Sequence, residues 1–237
     1  MKLGVNVDHI ATLREARKIS YPDPVEGALI CEKAGCDLIV AHLREDRRHI
    51  KERDILLIKK KIKIPFNLEM SINEEIVNFA LKLKPYQATL VPERRLELTT
   101  EGGLDLIKNY KKIKEVVEKL QSKNIIVSLF IDPIESQIEK AKELKVEHIE
   151  INTGRYSEAR LKKERDKELN KIVRSVNFAK QLGLYIAAGH GLNYENVKDI
   201  ASIKDIQELN IGHSIISRAV FVGLVKAVED MIKLIKN

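Results

Sequence analysis

Phe66-Asn67-Leu68-Glu69-Met70-Ser71-Ile72-Asn73-Glu74 contains a change of period that decides the fold. Phe66, Leu68 and Met70 alternate with Asn67 and Glu69, the two-residue repeat of a strand. Ser71-Ile72-Asn73-Glu74 then sets a cap candidate, Ser71, three residues ahead of an acid, which suits the free N–H groups at a helix start. Outward from this point the switch recurs. Strands are predicted at residues 3–7, 37–42, 66–70, 86–91, 125–131, 148–152, 184–188 and 207–211, each followed by an amphipathic segment. In one such segment Leu106, Tyr110, Ile113, Val117 and Leu120 step by four and three, with lysines filling the outer face. Asp23-Pro24-Val25-Glu26 and Asp132-Pro133-Ile134-Glu135 set a cap, a proline and a glutamate in helix-starting order. Gly35 and Gly183 stand where helices should stop before the second and seventh strands.

Eight strand–helix units in 237 residues come to about 30 residues each. Strict alternation predicts a parallel sheet, and eight repeats predict its closure into an α/β fold of the (β/α)8 TIM-barrel type. No linker or shift in composition interrupts it, so residues 1–237 are read as a single catalytic domain. An open doubly wound sheet is disfavoured because no Gly-x-Gly-x-x-Gly follows the first strand.

A hydrophobic content of 44% supports a sizeable core and excludes wholesale disorder. The 42 Lys and Arg against 35 Asp and Glu leave +7, a balance open to anionic partners. Most of the lysines lie on outer helix faces, and aromatics are only 5% of the chain with no Trp. A solvated surface is expected, with no nucleic-acid partner. Cys31 and Cys36 are too few for a disulfide scaffold, which points to a reduced, cytoplasmic setting. Asn6 and Asp8 interrupt any apolar start, and no run of 18 apolar residues exists, so neither a signal peptide nor a membrane partner is expected.

A barrel of this type works at the C-terminal ends of its strands. Asn6, Asp8 and His9 follow the first strand, and His42, Arg44 and His49 the second. Asn67 and Glu69 share one face of the third strand, Glu150 and Asn152 of the sixth, and Glu208 and Asn210 of the eighth. Gly189-His190-Gly191 and Gly212-His213-Ser214 close the last two strands. One histidine at a strand end is ordinarily structural, but five on one rim point to acid–base chemistry. His148, at the start of its strand, is read as structural. A half-buried Glu69 would have its pKa raised by desolvation, which suits a general acid or base. Gly212-His213-Ser214 opens a helix whose free N–H groups can hold phosphate, and Arg17, Arg44 and Arg47 add cations, with Arg47 equally explained by solvation. The twelve residues 92–103 are long enough for a lid. No strand lysine offers a Schiff base, and no compact carboxylate cluster marks a magnesium site. The residues thus describe acid–base chemistry on a small phosphorylated carbonyl compound.

Asn6-Val7-Asp8-His9-Ile10-Ala11-Thr12-Leu13-Arg14, Ala41-His42-Leu43-Arg44-Glu45-Asp46-Arg47-Arg48-His49-Ile50 and Asn67-Leu68-Glu69-Met70 closely resemble the pyridoxine 5'-phosphate synthase family. The likeness continues through Leu90-Val91-Pro92-Glu93, Thr99 to Asp105, Ser128 to Asp132, Ala188 to Leu192 and Leu209 to His213. It implies condensation of 3-amino-2-oxopropyl phosphate with 1-deoxy-D-xylulose 5-phosphate, with release of phosphate and water and without metal or organic cofactor. It also implies that His42 and Glu69 accept protons, His190 donates one and Glu150 lends a supporting charge. By the same resemblance Asn6, Gly191, Gly212 and His213 hold the aminoketone phosphate. Asp8, His9, Arg44, His49 and Thr99 hold the deoxyxylulose phosphate, and Arg17 is a further substrate contact. Members are homo-oligomers, typically octamers. The alternative is a metal-dependent aldolase or epimerase with His9, His42, Glu69 and His190 as ligands.

Overall fold

The computed structural model describes residues 1–100 and 102–236. Its first half runs β1 (Lys2–Asn6), α1 (Asp8–Arg17), α2 (Pro24–Lys33), β2 (Leu38–Leu43), α3 (Glu52–Lys61), β3 (Phe66–Met70), α4 (Glu74–Leu83), β4 (Gln87–Leu90) and α5 (Tyr110–Gln121). The second half runs β5 (Ile126–Ile131), α6 (Glu135–Glu143), β6 (His148–Asn152), α7 (Gly154–Glu158), α8 (Lys162–Gln181), β7 (Tyr185–Gly189), α9 (Val197–Ala201), β8 (Glu208–Ile211), α10 (His213–Val222) and α11 (Leu224–Lys236). All eight strands pair in parallel, in chain order, and β8 returns to β1 to close the barrel. The predicted (β/α)8 architecture is therefore present. No helix among the described residues is long and apolar enough to cross a membrane.

The core lies between strands and helices. Val5, Ile39, Leu68 and Met70 are wholly buried there, and each such side chain contributes about 1.5–3 kcal/mol by leaving water. The inward positions are different. Barrels of this type usually fill their interior with Val, Ile and Leu, whereas here Asn67, Gln87, Thr89, Ser128, Glu150, Glu208 and Asn210 are buried. Thr89 Oγ1 donates to Asn67 Oδ1 at 2.9 Å, and Asn210 Nδ2 donates to Glu150 Oε2 at 2.7 Å. Asn67 Nδ2, Ser128 Oγ and Asn210 Oδ1 are buried without a protein hydrogen-bond partner, an arrangement that lowers stability where it occurs. The polar interior leads upward into the strand ends.

Two helix starts differ from expectation. Asp23 caps α2 by accepting from Val25 N at 2.9 Å, as its spacing predicts. At α4 the cap is Asn73, two residues after Ser71, accepting from Glu75 N. Asp132 caps nothing: α6 starts after Ile134 without a side-chain cap, and Asp132 turns inward to residues 99, 103 and 152. The first unit also holds an unforeseen helix, α1, which buries Ile10, Ala11 and Arg14 and ends at Lys18 in a left-handed cap.

Candidate active site

The C-terminal strand ends surround a cavity of about 500 Å³. Eleven of the predicted residues line it: Asn6 from β1, Asp8 and His9 from the first turn of α1, His42 and Arg44 at and after the end of β2, Glu69 from β3, Glu150 from β6, His190 and Gly191 from the end of β7 and the turn after it, and Gly212 and His213 at the start of α10. Three do not. His49 stands behind His42 with ring centroids 6.3 Å apart, and Thr99 binds Asp132 in the lid segment. Arg17, the last residue of α1, is exposed and does not line the cavity.

Negative charge gathers on one side. Asp8 Oδ1 accepts from His42 N at 2.9 Å, and Asn6 Nδ2 reaches both Asp8 Oδ2 at 3.1 Å and Glu69 Oε2 at 3.4 Å. Burial raises the Glu69 carboxyl well above its usual range, and the charges of Glu150 and Asp8 raise it further. Glu150 is pushed up by burial, against the opposing hydrogen bond from Asn210. Asp8 is raised as well, because burial outweighs the help of His42, Asn6 and Arg44. The fold thus assembles acids that are scattered in the sequence, where no compact carboxylate cluster is visible. Asp8, His42 and Glu69 offer ligand atoms within 4.8 Å of one another, a set that could hold a cation. His9 and His190, the other two ligands of the metal alternative, are not in this set.

The two histidines expected to move protons are held differently. His42 Nε2 lies 2.9 Å from Glu93 Oε1, and Glu93 Oε2 accepts from Glu45 N at 2.9 Å. Glu93 was not singled out as a site residue, because nothing in a residue after Pro92 signals a partner on another strand. His190 has φ +82°, a left-handed value that a non-glycine residue adopts at a cost of about 1–3 kcal/mol. Gly191 follows with φ +79°, where a Cβ would come within 2.6 Å of Ser157 Cβ. The His190 carbonyl accepts from Thr153 Oγ1 at 2.7 Å, which anchors the strained turn. Being on β3 and at the end of β7, Glu69 and His190 approach the cavity from opposite walls of the barrel.

Gly212 precedes α10, whose start has no side-chain cap, so its first N–H groups are available to an anion. His9 and His213 meet edge to face there, with centroids 4.8 Å apart. Burial, followed by the proximity of His213, lowers the His9 pKa. A Cβ at Gly212 would lie 2.9 Å from Asn6 Cβ. Glycine is needed here to admit Asn6. Burial also depresses His49, to about 4, with help from His42 and Arg44.

The lid segment is built rather than loose. It holds a short 3-10 turn, Arg95–Glu97, and an antiparallel bridge between Leu98 and Leu104. Leu98 and Gly102 face the cavity, while Glu101 lies outside the described residues. Arg47 is taken up by Glu52 and Glu75, in line with a surface role. Arg14 is a buried anchor that grips Asp54 through two nitrogens and the His49 carbonyl at 2.9 Å. His148 stacks on Tyr185 at 4.3 Å, away from the cavity lining, as its place at the start of β6 implies.

Comparison with known proteins gives a consistent result. The family model described as pyridoxal phosphate biosynthesis protein PdxJ matches residues 3–237. Pyridoxine 5'-phosphate synthase from Geotalea uraniireducens (strain Rf4) is 54% identical over 235 residues, spanning 99% of this chain and 98% of that relative. The protein of the same name from Prochlorococcus marinus (strain NATL2A) is 53% identical, spanning 99% of this chain and 96% of its own. Among solved structures, phosphoribosyl anthranilate isomerase from Thermotoga maritima aligns with a TM-score of 0.65 at 15% identity. That alignment covers 100% of this chain and 98% of the isomerase, a likeness of fold alone.

Proposed function

This chain belongs to the PdxJ family, that of the pyridoxine 5'-phosphate synthases, and we propose that it condenses 3-amino-2-oxopropyl phosphate with 1-deoxy-D-xylulose 5-phosphate. Ring closure then releases inorganic phosphate and water and gives pyridoxine 5'-phosphate. The observation that carries this reading is the opposition of Glu69 and His190 across one cavity. Joining an amine to a ketone and dehydrating the ring require protons to be taken and returned repeatedly. A carboxyl raised by burial can do both near neutral pH. In this scheme Glu69 and His42 accept protons and His190 donates one, while Glu150, a second buried carboxyl itself pushed up to about 8, opposes the ionisation of Glu69.

The uncapped start of α10, with Asn6, His213 and Gly191 beside it, suits the aminoketone phosphate. Asp8, His9 and Arg44 suit the deoxyxylulose phosphate, with Thr99 brought in from the lid and His49 supporting from behind His42. Arg17 would act at the rim. The chain is proposed to work without a cofactor, in the cytoplasm, and as a homo-oligomer. Association is supported by the apolar surface of Leu13, Tyr21, Val220 and Phe221, the last 87% exposed.

Incubating the protein with both phosphorylated substrates tests the proposal. Equimolar phosphate and pyridoxine 5'-phosphate are expected, with no loss of rate after chelation. The metal-dependent alternative keeps a foothold in the Asp8, His42 and Glu69 arrangement. Activity abolished by chelator and restored by zinc would favour it over acid–base catalysis.

A further inference from the structure

Asp132 and Asn152 belong to no role assigned so far, yet they join the lid to His190. Asp132 Oδ2 accepts from Gly103 N at 2.9 Å and from Thr99 Oγ1, both in the lid. Its other oxygen, Oδ1, accepts from Asn152 Nδ2 at 2.8 Å. Asn152 Oδ1 then accepts from Gly154 N at 2.9 Å and faces His190 Nδ1 at 3.0 Å. Asp132 is wholly buried, and Asn152 is nearly so.

This chain of contacts has only one polarity. A backbone N–H can only donate, so the Asn152 atom facing Gly154 is the carbonyl oxygen. The same oxygen faces His190, so His190 Nδ1 must carry the hydrogen between them. We infer that Asp132 and Asn152 are positioning residues that hold His190 in its Nδ1–H form, directing Nε2 at the substrate, and that they couple this to the seating of the lid. The pair thereby selects which nitrogen exchanges a proton, and the anchored carbonyl of His190 keeps the ring in register. The inference rests on the proposed role of His190 only for its effect on turnover. The tautomer itself is a property of the resting protein.

The test is nitrogen NMR on the full chain with labelled histidine, His190 being assigned by the signal lost in His190→Gln. At a pH where the ring is neutral, Nδ1 is expected to carry the proton and Nε2 to be bare. An Nε2–H signal would overturn the inference, whatever the protein's activity. The exchanged pair Asp132→Asn with Asn152→Asp keeps both side-chain shapes and every donor–acceptor match, but moves the carboxylate next to Nδ1. The His190 titration midpoint should then rise by roughly one to three pH units, and the pH profile of kcat should move with it. An unmoved midpoint in this folded double variant would also overturn the inference. Asn152→Ala should lower kcat by roughly tenfold or more, with KM near the parent's. A KM effect alone would assign Asn152 to substrate binding and contradict the positioning role.

Discussion

His42 and Glu93 are 51 residues apart in sequence and 2.9 Å apart in space, Nε2 against Oε1. The pairing ties a cavity histidine to the residue that follows Pro92 at the start of the lid segment. The pairing occupies Nε2, so under the role proposed for His42 the proton would be exchanged through Nδ1. Glu93→Gln keeps an acceptor but removes the charge and loosens the bridge to Glu45. We expect kcat to fall by roughly 10²-fold with the fold retained, as steady-state kinetics and circular dichroism would show. Unchanged kcat would leave the pairing without catalytic meaning.

Glu69 links stability to pH in a defined direction. Its folded pKa is raised by burial and by the charges of Glu150 and Asp8, so the folded state holds a proton that the unfolded chain releases at lower pH. The contribution is intact below the ordinary carboxylate range and is lost as pH rises towards the folded value. Glu69→Gln removes the ionisation. Its Tm should match the parent's at acid pH and exceed it increasingly as pH climbs above about 5. Thermal unfolding across pH checks this, and a constant Tm difference would contradict it.

Gly212 tests how tightly the proposed phosphate end is packed. Because an added Cβ meets Asn6, Gly212→Ala should displace Asn6 and cost about 1–3 kcal/mol in urea unfolding. The same displacement should weaken aminoketone-phosphate binding by roughly tenfold, about 1.4 kcal/mol. Calorimetry showing parental affinity would mean that Asn6 does not contribute to that site.

The lid segment is pinned by Asp132 at its C-terminal end and by the Glu97 carboxylate, which accepts from Glu93 N at 3.0 Å. If it closes over substrate, added phosphate ligands should slow protease cleavage between residues 92 and 103. Equal cleavage with and without ligand would argue for a fixed loop.

Much of this was legible in the sequence, and the exceptions have physical causes. Residues 66–70 and 148–152 match β3 and β6 at both ends, because alternating polarity marks an inward and an outward face. The rim histidines were legible for the same reason, since strand ends converge in a closed barrel. Asp132 was misread because a proline after an acid resembles a helix start, while the partners that claim it are on residues 99, 103 and 152. Glu93 was missed because no periodic signal connects a loop residue to another strand. The raised pKa of Glu150 depends on enclosure and on Glu208 nearby, neither of which a linear pattern displays. The place of α1 was hidden by Asp23-Pro24, the stronger of two start signals in one unit.

The central claim is that Glu69 exchanges protons with substrate inside this cavity. The direct measurement is the rate of pyridoxine 5'-phosphate formation from both substrates by the parent, Glu69→Gln and His148→Asn, with deoxyxylulose phosphate affinity measured alongside. Loss of a proton-transfer group should slow Glu69→Gln by roughly 10²–10⁴-fold while binding persists. His148, stacked on Tyr185 and away from the cavity lining, should tolerate replacement within a few-fold. A Glu69→Gln protein that forms product at the parental rate would contradict the account.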